Sequence, residues 1–274
     1  MPVELNPVQR RVATRFSRLV QDLSGERIAR KLGIAAQEVY GDLRFAQLLI
    51  QLHLKHVEMS RSVIASFRLG LFSPTAALTR PLLEGAVKLV WAAVPDDTEE
   101  RRQRLLRILV RAYRELEEEG VALPPGERAL LDEAVAQNLR GAPDARGAMR
   151  AIDRAGIEAG GPPFLEAHYN QFSLSSQQLH VHLDGPALFR EDPGREEMVI
   201  FVEPRILLGF SSLRYALYYF SLATQATGML LALDDLRALV VRRYNAIVAE
   251  ADAEVAGLRP RASLRRSYGS VRSA

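Results

Sequence analysis

Apolar residues recur along nearly the whole chain at the three-and-four spacing of an α-helix, with clear start and stop signals between the runs. Asn6 followed by Pro7 predicts a first helix ending near Ser24-Gly25, and a short helix is predicted from Glu26 to Leu32. The clearest stretch lies between Gly41 and Gly70, where Phe45, Leu49, Leu52, His56, Met59 and Val63 alternate steps of four and three. That is the seam of a long amphipathic helix, with a histidine at one seam position. Ser73-Pro74 reads as an N-cap with proline at the first helical position, which predicts a helix to about Val94. Pro95 to Thr98 ends that helix and caps the next, from about Glu99 to Glu119.

Further helices are predicted over Gly126 to Leu139, Ala145 to Ala159 and Phe164 to His182, separated by glycine-proline breaks. Around 187–202 the helical period lapses. An Asp192-Pro193-Gly194 turn between two short apolar runs suggests a small β-hairpin or an ordered loop. Pro204 opens a long apolar helix, and Asp234 caps a final one ending near Ala253. The 19 residues from Tyr215 to Leu233 carry no charge, which is almost the length of a membrane span. Tyr218, Tyr219, Thr224, Gln225 and Thr227 interrupt the run, so it reads as a central buried helix, part of a homodimer interface, and no membrane span is expected. The expected fold is all-α, a multi-helix bundle in a single domain over residues 1–257.

Composition narrows the chemistry. The chain has no cysteine, which removes disulfides, thiolate metal sites and a thiol nucleophile. Its first residues mix charge with apolar side chains and lack a secretory run, so a cytoplasmic location is expected. Lys31, Lys55 and Lys88 are the only lysines among 36 basic residues, an imbalance typical of GC-rich coding rather than of phosphate contacts. Most arginines alternate with acids at helical spacing, as on a solvated face. The exception is 258–274, where Arg259, Arg261, Arg265, Arg266 and Arg272 occur without an acid. This segment reads as a disordered basic tail, with a phosphate-binding arm as the alternative.

Candidate chemistry falls on two helices. The Pro74 helix is apolar on all sides except for Arg80, Glu84 and Lys88, which stand at i, i+4 and i+8 on one stripe. Charges on a buried helix must be paired or face a polar space, so Arg80 and Glu84 either neutralise one another or line a pocket. In the Phe164 helix, Tyr169, Ser173, Ser176 and His180 share a stripe beside Leu165, Phe172 and Leu179. There they could meet Arg80 and Glu84 from a facing helix, with His56 a third contributor and His182 beyond the helix end. No histidine follows a glutamate by three positions, which excludes the paired motif of helical di-metal proteins. His53-x-x-His56 and His180-x-His182 are too sparse for a mononuclear site, so neither metal nor cofactor is expected. Asp96 to Glu100, DDTEE, resembles the acidic box of terpene synthases, but a helix N-cap explains it better.

The run from His53 to Trp91, with Gly70, Ala76-Ala77, Arg80-x-x-x-Glu84 and a downstream Tyr/Ser/His helix, resembles an uncharacterised bacterial family of all-helical proteins over about 41–233. That family is similar, at the level of fold, to the higher-eukaryote-and-prokaryote nucleotide-binding (HEPN) superfamily, many of whose members are ribonucleases of defence and toxin systems. Those nucleases place a histidine after an arginine with four to six residues between them, a spacing absent here. Two functions follow as expectations. The first is a homodimeric interaction or regulatory module whose polar groups are structural. The second is a nucleotide- or RNA-binding protein that could act as a ribonuclease of a bacterial defence or toxin system, with His180 as general acid/base, Arg80 stabilising phosphate charge and Glu84 a further catalytic candidate.

Overall fold

The computed structural model describes residues 5–160, 163–164, 168, 189–191, 198–200 and 202–258. Among them are nine helices: α1 (Pro7–Asp22), α2 (Glu26–Tyr40), α3 (Leu43–Arg68), α4 (Phe72–Ala93), α5 (Thr98–Glu118), α6 (Pro125–Ala136), α7 (Ala145–Glu158), α8 (Val202–Leu230) and α9 (Asp234–Leu258). Strands β1 (Phe189–Glu191) and β2 (Met198–Ile200) pair antiparallel with Arg190 opposite Val199, so the lapse in helical period is a hairpin. The bundle is all-α apart from that hairpin.

Local chemistry accounts for most helix ends. Asn6 and Gln9 form a reciprocal capping box at α1, with Asn6 Oδ1 accepting from the Gln9 amide at 2.9 Å. Asp97 accepts from the Glu100 amide at 2.8 Å, which confirms the DDTEE stretch as the cap of α5. Asp144 accepts from the Gly147 amide at the start of α7. Four boundaries differ from expectation, one of them the end of α9, which runs to Leu258 and not to about Ala253. Helix α2 continues through Gly33 to Tyr40, because Ala35 and Ala36 on its far side are buried and the left-handed residue that stops it is Gly41, at φ +66°. Helix α4 begins at Phe72 with Leu71 before it, so Ser73 and Pro74 lie inside the first turn, where a missing amide proton has no consequence. Helix α6 stops at Ala136, since Asn138 takes the left-handed conformation and the Leu139 amide returns to the Ala134 carbonyl. Of the expected Phe164 helix, only Phe164 and His168 are described, both helical; Tyr169, Ser173, Ser176, His180 and His182 lie outside the described residues.

Helices α3, α4 and α8 form the centre, and α4 against α8 is the most extensive contact. Helix α1 lies on α3 and α9, held to α9 by Arg11 and Arg15 on Glu250 at 2.8 and 3.0 Å. Helices α5 and α7 pack on α4, with α6 against α5. The uncharged run is therefore a buried helix, with Leu217, Tyr219, Phe220, Ala223 and Ala226 in the core. Its hydroxyls return to their own backbone: Thr224 Oγ1 donates to the Phe220 carbonyl and Thr227 Oγ1 to the Ala223 carbonyl, both at 2.9 Å. No helix among the described residues is long and apolar enough to cross a membrane.

Two glycines inside helices distinguish close packing from mere tolerance. The Phe72 ring lies over Gly209, with Cγ only 2.7 Å from where a β-carbon would sit, whereas at Gly33 the nearest atom is Ile50 Cδ1 at 3.5 Å. Alanine gains about 1 kcal/mol of helix propensity at either position, but overpacking costs about 1–3 kcal/mol. Thermal unfolding should therefore separate the two: Gly33→Ala raises the midpoint, and Gly209→Ala lowers it.

Candidate functional site

The charged stripe of α4 does not lie within the core. The Arg80 and Glu84 side chains retain 20% and 33% exposure and pair at 2.8 Å, Arg80 Nε donating to Glu84 Oε1. An i,i+4 pair this open contributes only a few tenths of a kcal/mol, so its weight is positional: each side chain holds the other over the mouth of a cleft. That cleft, about 550 Å³, lies between Arg80, Glu84 and Lys88 of α4, Ile108, Arg111 and Ala112 of α5, and Asp144 to Arg146 at the start of α7. Its volume is that of a small-ligand site.

Four cations and two carboxylates line it. Arg80 is tied to Glu84, and Asp144 is engaged by the α7 amide it caps. Lys88, half-buried, has no ion-pair partner among the described residues. Among the lining residues cations exceed carboxylates, and the first turn of α7 adds its partial positive charge. Guanidiniums present planar donor forks and the ammonium a movable point charge, a combination suited to phosphate oxygens.

The other candidates fall elsewhere. His56 does not reach the cleft. Its Nδ1–H donates to the Leu52 carbonyl at 2.8 Å, and its Nε2 faces Gly85, where a β-carbon would stand 2.6 Å away. His53 Nε2–H donates to the carbonyl of Leu23 at 2.7 Å, closing the C-terminal end of α1. Both imidazoles are buried and bonded to backbone carbonyls. With Tyr169, Ser173, Ser176 and His180 outside the described residues, the convergence shown at the cleft is that of Arg80 and Glu84 with Lys88, Arg111, Asp144 and Arg146. Among the described residues no group of histidines and acids could hold a metal ion.

Sequence reasoning missed a third buried imidazole, His168. It lies flat on Tyr218 at 5.0 Å and against Phe164 at 4.3 Å, with Nδ1 3.5 Å from the Tyr219 hydroxyl. The signal was its place four residues after Phe164 and four before Phe172, on the apolar stripe rather than the polar one. Arg111, Asp144 and Arg146 were missed for a different reason: nothing in the chain's spacing connects α5 and the α7 cap to α4. No family model, curated protein or solved structure matches the chain. The class that fold and site define is an all-α helical bundle with a basic cleft on the outer face of its central helix pair.

Burial pushes the pKa of His56 down to about 4, and that of His168 likewise, the Asp153 carboxylate opposing the shift at His168. A histidine whose folded value lies below its free value of about 6.5 binds fewer protons folded than unfolded. The neutral, packed state is therefore fully stable above pH 6.5, and this stability is lost as pH falls toward 4. Chemical denaturation at pH 7.5 and 5.5 should show a lower midpoint at the acid pH, and His56→Gln should reduce the difference.

Proposed function

We propose that this chain is a helical binding protein for a phosphate-bearing ligand of nucleotide size, taken up in the cleft between α4, α5 and α7. The observation that carries the reading is the set of four cations facing one open volume of about 550 Å³ against two carboxylates, each already engaged. A sealed structural pair would not leave Lys88 half-buried and without a counter-ion among the described residues. The resemblance to the HEPN superfamily supports the same ligand class. Arg111 and Arg146 would grip phosphate oxygens from opposite sides, Lys88 would neutralise charge at the base, and Glu84 would hold Arg80 in position.

Titration of a labelled nucleoside monophosphate, di- and triphosphate, and of a short 5′-phosphorylated RNA, tests this reading. Lys88→Ala and Arg111→Ala should each weaken binding about tenfold, the scale of one charge-assisted hydrogen bond. Glu84→Gln removes an opposing charge and should strengthen it a few-fold at low salt, an advantage that declines as salt screens the cleft. Unchanged affinity in both cation variants would reject the cleft as the binding site.

The alternative reading, a homodimeric interaction module, draws on a separate observation. Ile34 and Leu43 are 52% and 67% exposed beside Ile50 in an open apolar groove between α2 and α3. Sedimentation velocity decides it, since a monomer at every concentration removes the homodimer.

A further inference from the structure

Beyond Lys88 the same face of α4 continues to Trp91, the single tryptophan of the chain. Arg80, Glu84, Lys88 and Trp91 follow one another at helical spacing over about 16 Å. At the Trp91 end lies a second cleft of about 450 Å³, bordered by Gln103, Arg104 and Arg107 of α5 and by Asn138 and Arg140 of the loop after α6. Arg104 and Arg107, one turn apart, place both guanidiniums over one indole ring, 5.0 and 5.1 Å from its centre.

The two arginines are not equally compensated. Arg104 donates to the Trp91 carbonyl and to Glu100 Oε1, both at 2.7 Å. Arg107 donates through Nε to the Arg140 carbonyl at 3.1 Å, and its terminal nitrogens meet no carboxylate among the described residues. Burial, and then the charge of Arg104, lower the pKa of Arg107 from its ordinary value. Among the described residues Glu100 is the only carboxylate lining the cleft, against Arg104, Arg107 and the exposed Arg140.

Arg107 and the backbone that carries Arg140 are held in place before any ligand arrives. The Ala142 amide donates to the Arg107 carbonyl at 2.6 Å, and Arg107 returns a bond to Arg140, so the loop is fastened to α5 at both ends of one residue. Gly141 permits this approach, since a β-carbon there would meet Arg111 Cβ at 3.3 Å. Such preorganisation reduces the ordering that binding must impose.

We propose that this second cleft binds a phosphate dianion, free or carried by a small phosphomonoester, between Arg107 and Arg140 with Asn138 and Gln103 as neutral donors. The site is independent of the ligand assigned to the first cleft. Trp91 is the reporter, because any anion drawn to Arg107 alters the charge stacked on its ring. Inorganic phosphate and glycerol phosphate, titrated separately into the full-length chain at constant ionic strength, should each produce a saturable change in tryptophan emission. The tighter of the two identifies the form the site takes. Arg107→Ala and Arg140→Ala should weaken binding about tenfold, with helical circular dichroism as the folding control. If Arg107→Ala does not fold, Arg140→Ala carries the test, since its side chain is exposed. Lys88→Ala should retain the titration. No saturable change, an equal response to sodium chloride, or a response lost in Lys88→Ala but kept in Arg140→Ala would overturn the proposal.

Discussion

The close packing of α4 on α8 is the constraint on which the other elements depend. It is made by small residues and by aromatic rings placed over them: Phe72 over Gly209, and Thr79 Oγ1 donating to the Thr75 carbonyl at 2.9 Å and to the Ser212 carbonyl across the interface at 3.4 Å. Phe72 in turn packs with Phe67, and Phe67 with Phe210, so α3 is drawn into the same contact. With these faces committed to α3 and α8, the remaining face of α4 is turned toward α5 and α7. Its charges are there because the core has no room for them, and the clefts exist because the helices opposite bring charges of their own.

Helix α5 gives the two clefts a common wall. Ile108, Arg111 and Ala112 border the first, and Arg104 and Arg107 border the second, on the antiparallel neighbour of the Arg80-to-Trp91 face. The loop from α6 to α7, continued by the first turn of α7, supplies the other wall, with Asn138 and Arg140 at one cleft and Asp144 and Arg146 at the other. Its attachment to Arg107 fixes both sets at once. The result is a row of cations in which Arg80, Lys88, Arg104 and Arg107 are half-buried, where partial exclusion of solvent strengthens their charge, and Arg111, Arg140 and Arg146 are exposed.

The imidazoles take the opposite part. His53, His56 and His168 are buried and held neutral by desolvation, bonded to backbone or stacked on aromatic rings. His53 also packs against Phe220, which meets Phe16 of α1 at 5.9 Å. None of these three imidazoles lines either cleft, where the cationic side chains are arginine and lysine.

The sequence by itself determined the helical class, the seam of α3, the caps at Asn6 and Asp97, the hairpin that pairs 189–191 with 198–200 and the Arg80-Glu84-Lys88 stripe. All of these are local: a periodicity of 3.6 residues, or a side chain bonded to a backbone group three residues away, is written in adjacent positions. The extent of α2 was less legible, because Gly33 looks like a stop until burial of Ala35 and Ala36 outweighs its weak propensity. Only the tertiary structure decided that Arg80 and Glu84 open onto a cleft, that Arg111 and Arg146 join them, and that His56 turns to Gly85 instead. Those facts depend on which faces of distant helices meet, and in an arginine-rich chain no local pattern separates a guanidinium that lines a cleft from one that faces water.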